Sequence, residues 1–313
     1  MSKTKRKLTL SIRIKKLKAD RTECVTLNIQ WYPGHMTKAK RKIIEDLKLV
    51  NVVIELVDAR IPMSSRNPDV DEIVGNKPRI IVLNKSDLAD ENANRLWIKH
   101  YSGSNTKVIL VNSIKGTGLK EVTNAAKLLM KEKIDRLKSK GLLVKTIRAL
   151  IIGIPNVGKS TLINKMAGRS VAQTGDRPGV TKAKQWIKIS PELELLDTPG
   201  ILWPKFKDEQ VAFNLAFTGA IKDDILDVNE LALKLLERLQ QDYFSNLKEK
   251  YKLEDEHKEL SIYDLFNQIG KKRGCIIAGG EIDKKRVAVM LLDDFRGGRI
   301  GHITLELPQQ KQE

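Results

Sequence analysis

The order of three short motifs limits what this chain can fold into. Asn84-Lys85-Ser86-Asp87 comes first, Gly153-Ile154-Pro155-Asn156-Val157-Gly158-Lys159-Ser160 second, and Asp197-Thr198-Pro199-Gly200 third. Each follows a short apolar run and has the composition of a loop that grips one part of a nucleotide. Loops so far apart in sequence can share one ligand only if the strands before them end side by side, as they do at the carboxyl edge of an open α/β sheet. The base-reading element precedes the phosphate-binding element. The third motif, which would sense the terminal phosphate, is followed directly by about a hundred further residues.

The apolar pattern supplies such a sheet. Strand candidates are Val52 to Val57, Arg79 to Leu83, Lys107 to Val111, Ala149 to Ile152, Gln185 to Ile189 and Leu193 to Leu196, short runs rich in Ile, Val and Leu. That composition suits parallel strands buried on both faces. Helical stretches such as Leu119 to Leu137 lie between them. The alternation predicts an α/β fold with a doubly wound, mostly parallel sheet over residues 28–205. From 206 to 313 the signal becomes helical. Ala232, Leu235, Leu236 and Leu239 recur at i, i+3, i+4 and i+7 after an Asp227-x-x-Glu230 cap, and Ile262 to Ile269 and Val287 to Phe295 are further helices. A small all-α C-terminal domain is expected there. No internal repeat is present.

The second motif fits G-x-x-x-x-G-K-S after a buried strand, the context a phosphate loop requires. Its backbone N–H groups, including those of Val157 and Gly158, curl around phosphates, and the helix that follows offers its positive N-terminus. Lys159 is expected to reach the β- and γ-phosphates and Ser160 to ligate Mg²⁺, with Thr161 beside it. Asp197 is expected to hold Mg²⁺ through water and the Gly200 N–H to meet the γ-phosphate. Thr181, in the loop Gly175 to Thr181, is the expected switch threonine on the metal. In the first motif the Asp87 carboxylate can accept both N1–H and the 2-amino group of guanine, a pair that adenine lacks. Asn84 and Lys85 brace that loop and cover the base. Ser113-Ile114-Lys115 occupies the place of the usual Ser-Ala-Lys, with Ile114 as a departure. In most GTPases the phosphate loop comes first, so the chain looks like a circularly permuted P-loop GTPase. Ile201 stands where many GTPases carry the Gln that orients the attacking water, and no arginine finger is identifiable, so slow turnover by the free protein is expected.

Composition narrows the partners. A net charge of +18 on 313 residues exceeds what small anionic substrates need and suits a surface that docks on nucleic acid. A generally Lys-rich surface is the plainer explanation. At 5% aromatic residues, phosphate and shape contacts to folded RNA fit better than base stacking. No apolar run of about 18 residues exists, so no membrane helix is expected. Cys24 and Cys275 are isolated, which argues against a zinc site and for a reducing, cytoplasmic setting. Residues 1–27 form a basic extension lacking the apolar core and cleavage site of a secretory signal. It is read as a solvated tail, with an RNA-binding arm or a start site downstream, near Val25 or Leu27, as the other readings.

Beyond these motifs, Ile29-Gln30-Trp31-Tyr32-Pro33-Gly34-His35-Met36, Asp58-Ala59-Arg60-Ile61-Pro62, Asp294-Phe295-Arg296-Gly297-Gly298 and Gly301 to Glu306 complete a pattern. Over about residues 28 to 307 the chain resembles the ribosome biogenesis GTPase A (RbgA/YlqF) family of circularly permuted GTPases. The resemblance implies a bacterial cytoplasmic GTPase that binds the immature large ribosomal subunit late in assembly. It further implies a C-terminal helical domain on ribosomal RNA, and hydrolysis stimulated by the subunit. It implies His35 as the catalytic group, since family members carry a hydrophobic residue in place of the Gln, and K⁺ near Asn156 in place of an arginine finger. Nothing demands more than a monomer. Two other readings stand beside it: a GTP-dependent RNA-binding module with negligible turnover, and a GTPase of small-subunit maturation. The relatives that do the latter commonly carry a zinc module that two lone cysteines cannot make.

Overall fold

The computed structural model of the chain describes residues 41–142, 146–172, 185–197, 208–221, 223 and 227–309. His35, Thr181, Gly200 and Ile201, the Trp31 to Met36 motif, Cys24 and the basic extension lie outside the described residues.

Six strands form one sheet: β1 (Val52–Asp58), β2 (Arg79–Asn84), β3 (Thr106–Val111), β4 (Ile147–Gly153), β5 (Gln185–Ser190) and β6 (Leu193–Asp197). Their spatial order is β3-β2-β1-β4-β6-β5, with β5 antiparallel to β6 and every other pair parallel. All seven residues of β1 and all six of β2 are buried, which explains their nearly unbroken apolar runs. The exceptions are informative. Glu55, in the middle of β1, is buried against Arg66 at 3.1 Å and Arg79 at 3.5 Å.

The crossovers are helical: α1 (Asp69–Val74), α2 (Glu91–Tyr101), α3 (Leu119–Ser139) and α4 (Lys159–Ala167). The sequence order of the strands reverses between β1 and β4, the switch point where such sheets bind ligands. Register places the loops there. Leu56 pairs with Gly153, Asp58 with Asn84, Asn84 with Val111 and Ile151 with Asp197, so four motif-bearing strands end on one edge.

From residue 209 the chain is helical: α5 (Glu209–Phe217), α6 (Val228–Asp242), α7 (Phe244–Tyr251), α8 (Ile262–Lys272) and α9 (Lys284–Arg296). Asp227 caps α6, accepting from the Asn229 and Glu230 N–H groups. Leu231, Leu235, Leu236 and Leu239 form its buried stripe. Each fully buried Leu contributes roughly 1.5–3 kcal/mol. One apolar cluster runs from Ile54, Val82 and Ile151 of the sheet through Phe217 of α5 to Leu236 and Leu291 of the helices. A second cluster, on the sheet's other face, holds Val53, Leu150 and Leu196.

After α9 the chain turns back onto the sheet. Ile303 N–H donates to the Leu88 carbonyl (2.9 Å) and Leu305 N–H to the Arg60 carbonyl (2.8 Å). The buried Glu306 carboxylate accepts from the Met63 and Ser64 N–H groups, from Ser64 Oγ, and from Asn214 Nδ2 of α5 at 2.9 Å. Trp97 Nε1 of α2 donates to the Glu306 carbonyl at 2.9 Å. This returning strap joins the sheet to the helices.

Candidate nucleotide-binding site

The base-reading loop and the phosphate loop meet through Asn84. Its Nδ2 donates to the Val157 carbonyl at 2.7 Å, and its Oδ1 accepts from Ser113 N–H (3.2 Å) and Ser113 Oγ (2.7 Å). One buried amide thereby ties together the loops after β2, β3 and β4. Gly158 is needed at the meeting point. Its φ is +98°, and a Cβ there would stand 2.4 Å from Asn84 Nδ2.

Lys85 adopts a left-handed backbone, φ +58°, which strains a non-glycine residue by about 1–2 kcal/mol. Its ammonium is held in place on two sides. Nζ lies 2.9 Å from Asp58 Oδ2 and donates to the Asn156 carbonyl at 3.1 Å. Asp58 is buried at the end of β1, and Arg60 grips it from the other side, Nε to Oδ1 at 3.0 Å and Nη2 to Oδ2 at 2.8 Å. Burial pushes the Asp58 carboxyl up, but Arg60 and Lys85 outweigh it and hold the group well below the ordinary carboxylate range. Asp87 follows in a short 3₁₀ turn, Ser86–Leu88, with its carboxylate exposed.

Ser113 is buried, whereas Ile114 is 79% exposed. The Ile114 and Lys115 N–H groups both donate to Asn112 Oδ1, at 2.9 and 2.8 Å. The Ile114 N–H is therefore engaged within its own turn here. Ser113, Ile114, Thr161, Asn164, Lys165 and Arg169 line an open cleft beside the phosphate loop.

Lys159 opens α4 and is buried, with Nζ 3.1 Å from Asp197 Oδ1 at the end of β6. Burial lowers its ammonium below the ordinary value, against the pull of Asp197. Among the described residues, Asp197 Oδ1 is buried and meets the Lys159 ammonium as an ion pair without a further hydrogen bond. A buried carboxylate with spare lone pairs, close to the start of α4 where Ser160 sits half-buried, suits a hydrated divalent cation and its phosphates. Asn156 is also left-handed, φ +59°, and its Nδ2 donates to the Gly219 carbonyl just beyond α5 at 2.8 Å.

Among the residues expected from the sequence, Asn84, Lys85, Asp87, Ser113, Ile114, Asn156 to Thr161 and Asp197 all lie along this one edge. In the sequence Asp58 and Arg60 stand out only as a family marker, and Asn112 belongs to no motif. An acidic residue at the end of a buried strand, just before a loop, was the available signal for Asp58.

A base-reading loop, a phosphate loop and a switch aspartate at strand ends along one edge of the sheet, in this chain order, define a circularly permuted P-loop GTPase. Residues 148–268 match a family described as 50S ribosome-binding GTPase. The chain is 52% identical over 282 residues to ribosome biogenesis GTPase A of Bacillus cereus, covering 90% of this chain and 95% of that protein. It is 33% identical to the Thermotoga maritima ribosome biogenesis GTPase A over 90% of this chain and 95% of that one. Among solved structures, GDP-bound TM YlqF superposes with a TM-score of 0.61 at 27% identity, over 86% of this chain and 100% of that chain. GNP-bound YlqF from T. maritima gives 0.57 at 28%, over 87% and 99%. The chain belongs to the ribosome biogenesis GTPase A family and is a GTP hydrolase of ribosome assembly.

Proposed function

We propose that the chain acts late in maturation of the large ribosomal subunit, binding its rRNA in the GTP state, with the subunit stimulating hydrolysis and hydrolysis releasing the protein. The observation that supports this reading is the Asn84 bridge from the base-reading loop to the Val157 carbonyl, which brings the two loops together next to the helical part of the chain. Residues 28–205 act as the GTPase domain and 206–313 as the ribosome-binding domain, with 1–27 as a basic extension.

Asp87 reads the guanine edge, with Lys85 against the base and Ser113 and Ile114 alongside it. Val157, Gly158 and Thr161 bind the phosphates through their backbone. Lys159 leaves Asp197 to neutralise charge on the β- and γ-phosphates. Ser160, Thr181 and, through water, Asp197 would hold Mg²⁺, which would supply further neutralisation of charge on the phosphates. Gly200 senses that phosphate. His35 orients the attacking water in place of a Gln, and Asn156 accommodates K⁺. Water adds to the γ-phosphorus, the bridging P–O bond breaks, and GDP and phosphate leave.

The net charge of +18 supports an rRNA partner. No helix among the described residues is long and apolar enough to cross a membrane. In this reading the chain acts in the bacterial cytoplasm as a monomer, its relatives in Bacillus cereus and Thermotoga maritima being bacterial. The test is GTP turnover in K⁺ buffer with purified large subunits, small subunits and neither. Stimulation by large subunits alone, roughly 10³-fold or more, is expected. No stimulation by either would leave a passive GTP-dependent RNA-binding module, and full stimulation of His35→Ala would remove His35 from the chemistry.

A further inference from the structure

The phosphate-loop residue Asn156 is held from two directions, and both lead to Arg296 at the end of α9. Its side chain donates to the Gly219 carbonyl (2.8 Å), and its own carbonyl accepts from Lys85 (3.1 Å). Gly219 belongs to the turn closing α5, where its N–H donates to the Ala216 carbonyl and its φ is +76°. The Arg296 guanidinium fixes that turn. Nε donates to the Phe217 carbonyl (3.0 Å), Nη2 to the Ala216 carbonyl (2.9 Å), and both Nη atoms pair with Asp223 at 2.7 Å. The second route starts at the Arg296 carbonyl, which accepts from Arg60 Nη1 at 3.2 Å. Arg60 holds Asp58, Asp58 holds Lys85, and Lys85 reaches Asn156.

We propose that the helical part of the chain completes the nucleotide site, with the Gly219 carbonyl holding Asn156 and Arg296 acting as a positioning residue for GTP. A phosphate loop binds through backbone N–H groups whose directions follow from its φ and ψ angles, and a displacement of a few tenths of an ångström weakens them. Asn156 is exposed and left-handed, a conformation that needs neighbours to fix it. Gly219 and Lys85 are those neighbours. Movement of α5 or α9, such as docking on a partner would impose, then reaches the phosphates through two hydrogen bonds.

The proposal rests on reading Gly153 to Ser160 as the phosphate loop. Loss of GDP affinity in Lys159→Ala tests that reading alone, and use of the free full-length chain makes the result independent of any response to ribosomal subunits. The experiment measures KM and kcat for GTP, fluorescent GDP affinity and Tm for wild type, Arg296→Lys, Asn156→Gly, the double variant and Leu239→Ala. Lysine keeps the charge opposite Asp223 but lacks the fork that reaches two carbonyls at once. Arg296→Lys is expected to raise KM and the GDP Kd about fivefold. In the Asn156→Gly background, which tolerates positive φ, it should add less than about twofold, because the route it acts through has been removed. Leu239→Ala, buried in α6 away from this path, should lower Tm without raising KM. An unchanged KM in folded Arg296→Lys, a fully additive double variant, or a KM rise in Leu239→Ala equal to that of Arg296→Lys would each overturn the proposal. Should Arg296→Lys fail to fold, Asp223→Asn takes its place, with a smaller rise in KM expected and an unchanged KM overturning it.

Discussion

Asp58 and Asp87 are both aspartates beside the base-reading loop, and their surroundings give them opposite tasks. Asp58 is buried between Arg60 and Lys85 and is structural. Its folded carboxyl sits well below its ordinary value of 3.8, so the stability it adds is complete above that value and is lost progressively as pH falls below it towards the lower folded value. Urea unfolding between pH 7 and pH 3 should show this acid loss in the wild type and a flatter profile in Asp58→Asn. Asp58→Ala, which leaves Arg60 buried without its partner, should cost about 3–5 kcal/mol at pH 7. Asp87 is exposed, and its carboxylate is open to a ligand. If it accepts two guanine hydrogens, each worth about 1.5 kcal/mol as a charge-assisted bond, Asp87→Ala should weaken GDP binding roughly 10²-fold with Tm unchanged. Competition of GTP and ATP against fluorescent GDP would show the discrimination collapsing.

Elements carry the site because their ends are aligned. The register of β1, β2, β4 and β6 delivers Asp58, Asn84, Gly153 and Asp197 to one edge, and the loops need only a few residues to meet. The closest meeting is Gly158 against Asn84. Gly158→Ala would force a Cβ to 2.4 Å from Asn84 Nδ2 at a φ of +98°, so the two loops must part. The expected outcome is loss of fluorescent GDP binding by at least about 10²-fold and a stability loss of roughly 1–3 kcal/mol, from strain and the unpaired Val157 carbonyl. The strands and the helices α3, α6, α8 and α9 were legible in sequence because their apolar periods are strong, whereas α1, α2, α5 and α7 are shorter or carry weaker periods. α3 and α9 extend a little beyond their apolar cores, to Ser139 and Arg296, since polar residues can continue a helix after its buried stripe has ended.

At the scale of the whole molecule, the strap after α9 decides how the helices sit on the sheet. Glu306 is its anchor, and burial raises its carboxyl above the ordinary value despite the donors from Ser64, Asn214 and Met63. A raised value means that the ionised form is the strained one, so its contribution to stability is fullest in acid and declines as pH rises through the folded value. Glu306→Ala leaves two backbone N–H groups, a hydroxyl and an amide without their acceptor. It should cost about 2–4 kcal/mol by urea unfolding. The same change should weaken the route from helices to nucleotide, because Leu305 also pairs with the Arg60 carbonyl.

The sequence by itself determined the strand set and the chain order of the loops, and it marked Asn84, Asp87, Lys159 and Asp197 as the candidates of the site. Those features are local: an apolar period fixes a strand, and a glycine-lysine-serine loop has the same chemistry wherever it sits. Only the tertiary structure decided that Asp58 would hold Lys85 and that Glu306 would bind Ser64 and Asn214. Each of those contacts joins residues from separate elements, and side-chain type alone does not say which distant partner a buried charge or amide will meet. The partner is set by strand register and by the path of the returning chain, and both exist only once the sheet and helices have packed.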